Sequence, residues 1–212
     1  MEISILKHKD YLERIPHSGR HILVQEQEEN LLFYQAYNHR IADYALEHQQ
    51  LGGTAFSYNR MSWIKPNFLW MMFRCGWASK ENQERVLGIW IGKDNFENIL
   101  EEAVYSSFQP DIYESEDNWK KALARKEVRL QWDPDHDIFG NKQERRAIQL
   151  GLKGKILKAF GTEMIRKIVD MTPFVKEQKV KIDQRNLEEL LIPKEGCFLS
   201  SHPELNQKLG LS

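Results

Sequence analysis

Between Arg60 and Trp77 the chain reads RMSWIKPNFLWMMFRCGW, with Arg60, Lys65 and Arg74 interleaved among Trp63, Trp70 and Trp77. A cation tethered to so apolar a segment must reach water, a carboxylate or a bound anion, because an unpartnered buried charge is expensive. Capture of a phosphate or carboxylate is the chemistry this pattern offers. Lys65 and Pro66 are placed at the start of a helix, whose free backbone N–H groups favour an anion, and the lysine adds charge there. Ser62 and Trp63 complete this candidate set, with Trp63 able to stack on a ring and Trp70 read as core. The plainer outcome is that the cations snorkel to solvent or pair with Glu81 or Glu84.

Two further stretches carry polar groups at useful spacing. In YQAYN, Gln35 and Tyr37 share one face of a strand and could hydrogen-bond a ligand, while Asn38 is either a ligand contact or simply a helix cap. In QWDPDHD, Asp133, Asp135, His136 and Asp137 invite a metal or acid–base reading. The glycine and distal glutamate of a calcium loop are missing, so no metal site is assigned and the stretch is read as a solvated turn. His136, beside carboxylates, would be held protonated.

Basic residues gather at 120–129 and again at 142–158. On one face they would form a groove for RNA or DNA; separately they are solvated surface. GLKGK lacks the spacing and hydroxyl of a phosphate-binding loop, and no nucleophile elbow, zinc-protease helix or dinucleotide fingerprint occurs.

The elements that must position these residues follow from periodicity. HILVQEQ and LLFYQAY predict an antiparallel pair, and Asn38 caps a helix that Gly52 and Gly53 stop. RMSWI is extended before Pro66, which opens an apolar helix closed by Gly76. ERVLGIWIG reads as an interior strand, and residues 93–108 as one amphipathic helix carrying Ala103 and Val104 on its apolar side. A basic helix at 119–126, the strand VRLQW, the strand RAIQLGL and the short helix KGKILKAFG follow. MIRKIVDMT is strand or helix, ended by Pro173, and a last helix lies near 186–191 before an irregular tail. Strands and helices alternate without a parallel crossover rhythm, so the fold class is α+β: one domain over 20–212, with a mixed or antiparallel sheet and flanking helices, after a poorly packed lead-in over 1–19.

With 212 residues the chain can bury a core unaided, and a formal net charge of -1 gives no global attraction to nucleic acid or anionic membrane. Two cysteines are too few for a zinc cage and read as reduced thiols, and no stretch suits a secretion signal or membrane span. A cytoplasmic protein without membrane partners is expected.

YQAYN, RMSWIKPNFLWMMFRCGWASK, QERVLGIWI, VRLQWDPDHD and RAIQLGL together resemble the shared segments of a bacterial and fungal family catalogued as domain of unknown function 4291. The resemblance runs from about Arg20 through the closing HPELNQKLGLS and implies one whole domain of a standalone protein. It implies no particular activity. At the level of element order, YQAYN, RIADYAL, RMSWIKPNFLWMM and ERVLGIWI are also similar to the ADP-ribosyltransferase fold. That likeness puts Gln35 where a nicotinamide nucleotide would be contacted and Gln149 where a catalytic glutamate would stand, although glutamine supplies no charge to a developing oxocarbenium ion. The resulting expectation is an enzyme-like domain binding a nucleotide or other phosphorylated ligand, with ADP-ribosyl transfer and NAD as its most concrete version. Gln35 and Gln149 take the catalytic positions, and Tyr37, Asn38, Arg60, Ser62, Trp63, Lys65 and Arg146 bind the ligand. The competing expectation is a non-catalytic RNA- or DNA-binding module using the two basic clusters.

Overall fold

A computed structural model describes residues 1–211. In chain order it runs β1 (Ile5–Lys7), α1 (His8–Leu12), β2 (Ile22–Gln27), β3 (Asn30–Tyr37), α2 (His39–His48), β4 (Ser62–Ile64), α3 (Phe68–Cys75), β5 (Arg85–Gly92), α4 (Lys93–Glu101) and β6 (Ala103–Tyr105). It continues with α5 (Pro110–Tyr113), α6 (Glu116–Arg125), β7 (Val128–His136), β8 (Lys142–Leu152), α7 (Gly154–Ala159), β9 (Ile165–Asp170), α8 (Thr172–Asp183), β10 (Leu191–Pro193), β11 (Gly196–Phe198) and α9 (Pro203–Leu209). The class is α+β. Five strands form an antiparallel sheet in the order β11-β2-β3-β5-β9, four form a mixed sheet in the order β4-β8-β7-β6, and β1 pairs with β10. Only β6 and β7 run parallel among these pairs.

Alternation along the central strands explains the layering. Leu31 and Phe33 of β3, with Leu87, Ile89 and Ile91 of β5, pack against Leu130, Ile148 and Leu150 of the four-stranded sheet and Phe96 and Leu100 of α4. Leu32, Tyr34, Val86 and Trp90 point the other way, onto Phe68 and Met72 of α3, Val175 of α8 and Tyr11 of α1. A strand buried on both faces needs a nearly continuous apolar run, which is what VLGIWI supplies. The two sheets also meet at β4, which pairs with β8 while Tyr34 N of β3 donates to Lys65 O at 2.7 Å.

Local signals terminate the elements as expected at several points. Asn38 accepts from Ile41 N and caps α2, and Gly76, with φ of 59°, closes α3 in the left-handed region. Elsewhere the structure departs from the expectation. The helix from Lys93 ends at Glu101, and Ala103 and Val104 belong to β6, where the pairing with β7 overrides their helical spacing. Pro173 starts α8 rather than ending a segment, its missing N–H costing nothing in a first turn. The helix near 186–191 is only a 3-10 turn, Leu187–Glu189. Residues 1–19 are not a loose lead-in: Tyr11 and Ile15 are buried in the core. On the apolar helix α3, Phe73 is exposed, whereas Trp70 is core. Among the described residues no helix is long and apolar enough to cross a membrane.

Candidate functional site

The end of β3, the short β4, the β7–β8 hairpin and the last turn of α3 enclose a cavity of about 490 Å³. β3 contributes Gln35 and Tyr37, β4 Ser62 and Trp63, α3 Met71 and Arg74, and the hairpin Gln131 and Gln149; Arg60 and Lys65 flank β4. A second cavity of about 560 Å³ adjoins it, sharing Tyr37, Arg60, Met61 and Ser62 and adding Asn38 and Phe56. Of the residues assigned from sequence, Gln35, Tyr37, Arg60, Ser62, Trp63, Lys65 and Gln149 therefore converge on one hollow, and Asn38 faces its neighbour.

Arg146 borders neither cavity. It is exposed, three residues from Gln149 along β8, and an odd separation on a strand sends the two side chains to opposite faces. Gln131 and Gln83 were missed. Gln131 was discoverable, because it pairs directly across the hairpin with Gln149.

The lining is electrostatically one-sided. Arg60, Lys65 and Arg74 border the cavity, and among the described residues no acidic side chain lines it. Neither Glu81 nor Glu84 pairs with any of these cations among the described residues. Arg60 and Arg74 are exposed at the wall, while Lys65 is only 4% exposed. Lys65 Nζ has one long hydrogen bond, 3.5 Å to Trp63 O. Burial, helped by the neighbouring Arg74 charge and opposed by Asp133, pulls its pKa down to about 8.

Gln35 Nε2 donates to Ser62 Oγ at 2.8 Å and to Trp63 O at 3.2 Å, and the carbonyl acceptor fixes which end of the amide is which. Its Oε1 is buried without a hydrogen-bond partner. Tyr37 OH lies 3.1 Å from the same Ser62 Oγ, and burial raises the phenol's pKa despite that bond. Gln149 Nε2 donates to Asp133 Oδ2 at 2.7 Å, and Gln131 Nε2 to Asp133 Oδ1 at 2.8 Å. The carboxylate missing at position 149 thus stands immediately behind it, clasped by two glutamines.

The expected anion site at the start of α3 is filled by the protein itself. Pro66 lies before the helix, Asn67 is its cap, and Phe68 N donates to Glu195 Oε1 at 2.6 Å. QWDPDHD is likewise no solvated turn: β7 continues through it with a bulge near Pro134, and Asp135 and His136 are buried. His136 stacks on Phe73 with ring centroids 3.5 Å apart, and burial lowers its pKa, outweighing the carboxylates expected to hold it protonated. Among the described residues no group of three or more His, Cys, Asp or Glu could hold a metal ion.

Much of the basic clusters' charge is engaged within the fold. Lys120 pairs with Glu116, Lys126 with Glu102, and Arg145 with Asp135, while Arg129 donates to backbone carbonyls and Lys158 lies over the Tyr58 ring.

Gly151 sets the floor beneath Trp63, its partner across the β4–β8 pair. A Cβ there would stand 2.5 Å from Met61 Sδ and 3.0 Å from the Trp63 ring. Gly151→Ala is expected to cost about 1 to 3 kcal/mol through overpacking, measured by urea unfolding, and to displace Trp63 and Met61 into the cavity.

These features define an α+β domain with a cavity at the junction of two sheets bordered by Arg60, Lys65 and Arg74. The chain belongs to the family described as Domain of unknown function (DUF4291), whose profile matches residues 21–198. The match runs from the start of β2 to the end of β11, adjacent strands of one sheet. No curated protein matches the chain.

Proposed function

We propose that the cavity binds a nucleotide or another phosphorylated small molecule. The observation that carries this reading is the convergence of Arg60, Lys65 and Arg74 on a hollow that no carboxylate lines among the described residues. Three cations facing a common space repel one another unless an anion lies between them, and a phosphate offers acceptors to both guanidinium groups. Trp63 supplies a flat face for a ring, Ser62 and Tyr37 supply hydroxyls, and the unpartnered Gln35 Oε1 supplies an acceptor. The adjoining cavity gives room for a second moiety beyond Arg60.

The more specific version is transfer of an ADP-ribosyl unit from NAD. In it the bond from the ribose carbon to the nicotinamide nitrogen breaks, and an acceptor nucleophile takes that carbon. Gln35 and Gln149 orient the ligand, and Asp133, bound to Gln149, supplies the negative field that glutamine lacks. This version rests on the order of the elements, a fold-level analogy.

Thermal-shift measurements with inorganic phosphate, nucleoside phosphates and NAD test the binding. A ligand at 100 times its Kd should stabilise the wild type by about 2.7 kcal/mol. Arg60→Ala and Lys65→Ala should remove that response while the ligand-free variants stay folded. An unchanged response in both variants, or no response to any phosphorylated ligand, overturns the assignment.

A further inference from the structure

We propose that Lys65 is a carbonyl-trapping amine: the cavity takes a phosphorylated aldehyde or ketone whose phosphate rests on Arg60 and Arg74 and whose carbonyl carbon bonds to Lys65 Nζ as an imine. The proposal rests on the phosphorylated-ligand reading and adds the ligand's second functional group.

Lys65 is built unlike the paired lysines of this chain. Lys93 and Lys126 reach carboxylates at 3.1 and 2.6 Å, whereas Lys65, far more buried, has among the described residues no ion pair and one stretched bond to a carbonyl oxygen. An ammonium left with one acceptor of its three donors is poorly solvated, and the neutral amine has a free lone pair. Its lowered pKa, about 8, agrees with that geometry. The backbone at this position is anchored, because Lys65 O accepts from Tyr34 N at 2.7 Å. On the same cavity wall, the buried Gln35 Oε1 has no donor, and its amide is held in that orientation by the Trp63 carbonyl. The hydroxyl formed when an amine adds to a carbonyl is a donor of the kind this oxygen lacks.

The chemistry balances without an oxidant or reductant. The Nζ lone pair attacks the carbonyl carbon, the C=O π electrons move to oxygen, and that oxygen takes up a proton. Loss of the same oxygen as water, with the remaining amine proton, leaves a C=N bond. The two exposed arginines at the wall supply most of the phosphate's hydrogen bonds, which leaves the Lys65 lone pair available to the carbonyl carbon.

Pyridoxal 5′-phosphate serves as the probe, with sodium borohydride to reduce the imine and peptide mapping to locate it. At pH 8 and equimolar probe, one adduct is expected, on Lys65, forming on the order of 100-fold faster than on lysines of ordinary pKa. Lys65→Arg and Lys65→Met should each lose that adduct alone. Arg60→Ala and Arg74→Ala should slow it at least tenfold, as should replacing the probe by pyridoxal, which lacks the phosphate. Adducts spread over exposed lysines with no preference for Lys65 overturn the proposal. If phosphate-bearing ligands still raise the melting temperature in that case, the amine assignment fails and the phosphorylated-ligand reading survives. If Lys65 reacts equally with pyridoxal and its phosphate, and no phosphorylated ligand stabilises the chain, both fail.

Discussion

Arg145→Ala is expected to lower the free energy of unfolding by about 3 to 5 kcal/mol. Arg145 is 5% exposed; its Nε donates to Asp135 Oδ2 at 2.8 Å, and its Nη2 lies 2.6 Å from the same oxygen in an ion pair. Nη1 donates to Pro16 O at 2.6 Å, so the same guanidinium fastens the N-terminal segment to the β7–β8 hairpin. Removing it strands Asp135, which is fully buried, in a site where burial already raises its pKa against the pull of Arg145. Urea unfolding at pH 7 measures the loss. Replacing both partners, as in Asp135→Leu with Arg145→Met, should recover most of it, since an apolar pair avoids the stranded charge. A single-variant loss below about 1 kcal/mol would mean that water reaches Asp135.

Glu195→Ala should cost about 3 kcal/mol or more, because it orphans buried donors at roughly 1 to 3 kcal/mol each. Its carboxyl group accepts from Phe68 N at 2.6 Å, Tyr11 OH at 3.0 Å and Asn67 Nδ2 at 3.3 Å. Glu195→Gln gives a sharper test through pH. Burial raises the Glu195 pKa well above its ordinary 4.5, although the bonds from Phe68 and Tyr11 oppose the rise. Below about 4.5 the group is protonated folded or unfolded, and its contribution to stability is fully present. As pH climbs, the unfolded chain releases the proton first, so stability falls by about 1.4 kcal/mol per pH unit until the folded carboxyl also ionises. The glutamine variant lacks this slope. Unfolding free energies of wild type and Glu195→Gln, compared from pH 4.5 upward, should therefore diverge in favour of the variant. Parallel curves would show that Glu195 titrates normally.

The sequence made legible whatever depends on neighbours along the chain. Asn38 and Gly76 announce helix boundaries through their own side-chain chemistry or lack of it, and VLGIWI announces a strand covered on both faces. Most of the candidate cavity was legible too, since Arg60 to Arg74 is one segment and Gln35 and Tyr37 share a strand face. What escaped depends on distant partners. Glu195 occupies the start of α3 from 127 residues away, displacing the anion that helix was expected to attract. Asp135 lies inside a strand despite turn-forming neighbours, because Arg145, ten residues on, neutralises it. Pro173 was misread because proline ends one segment and begins another with equal ease, and only the packing of Val175 and Ile182 decides which.

The cavity wall draws on β3, β4, α3 and both arms of the β7–β8 hairpin, so residues 35 and 149 must be brought together before it exists. No fragment short of that span contains the whole cavity, and a chain cut anywhere within it loses the wall on one side. The integrity of the cavity is accordingly a gauge of whether the segments from 35 to 149 have assembled, and no local stretch of them reports it alone.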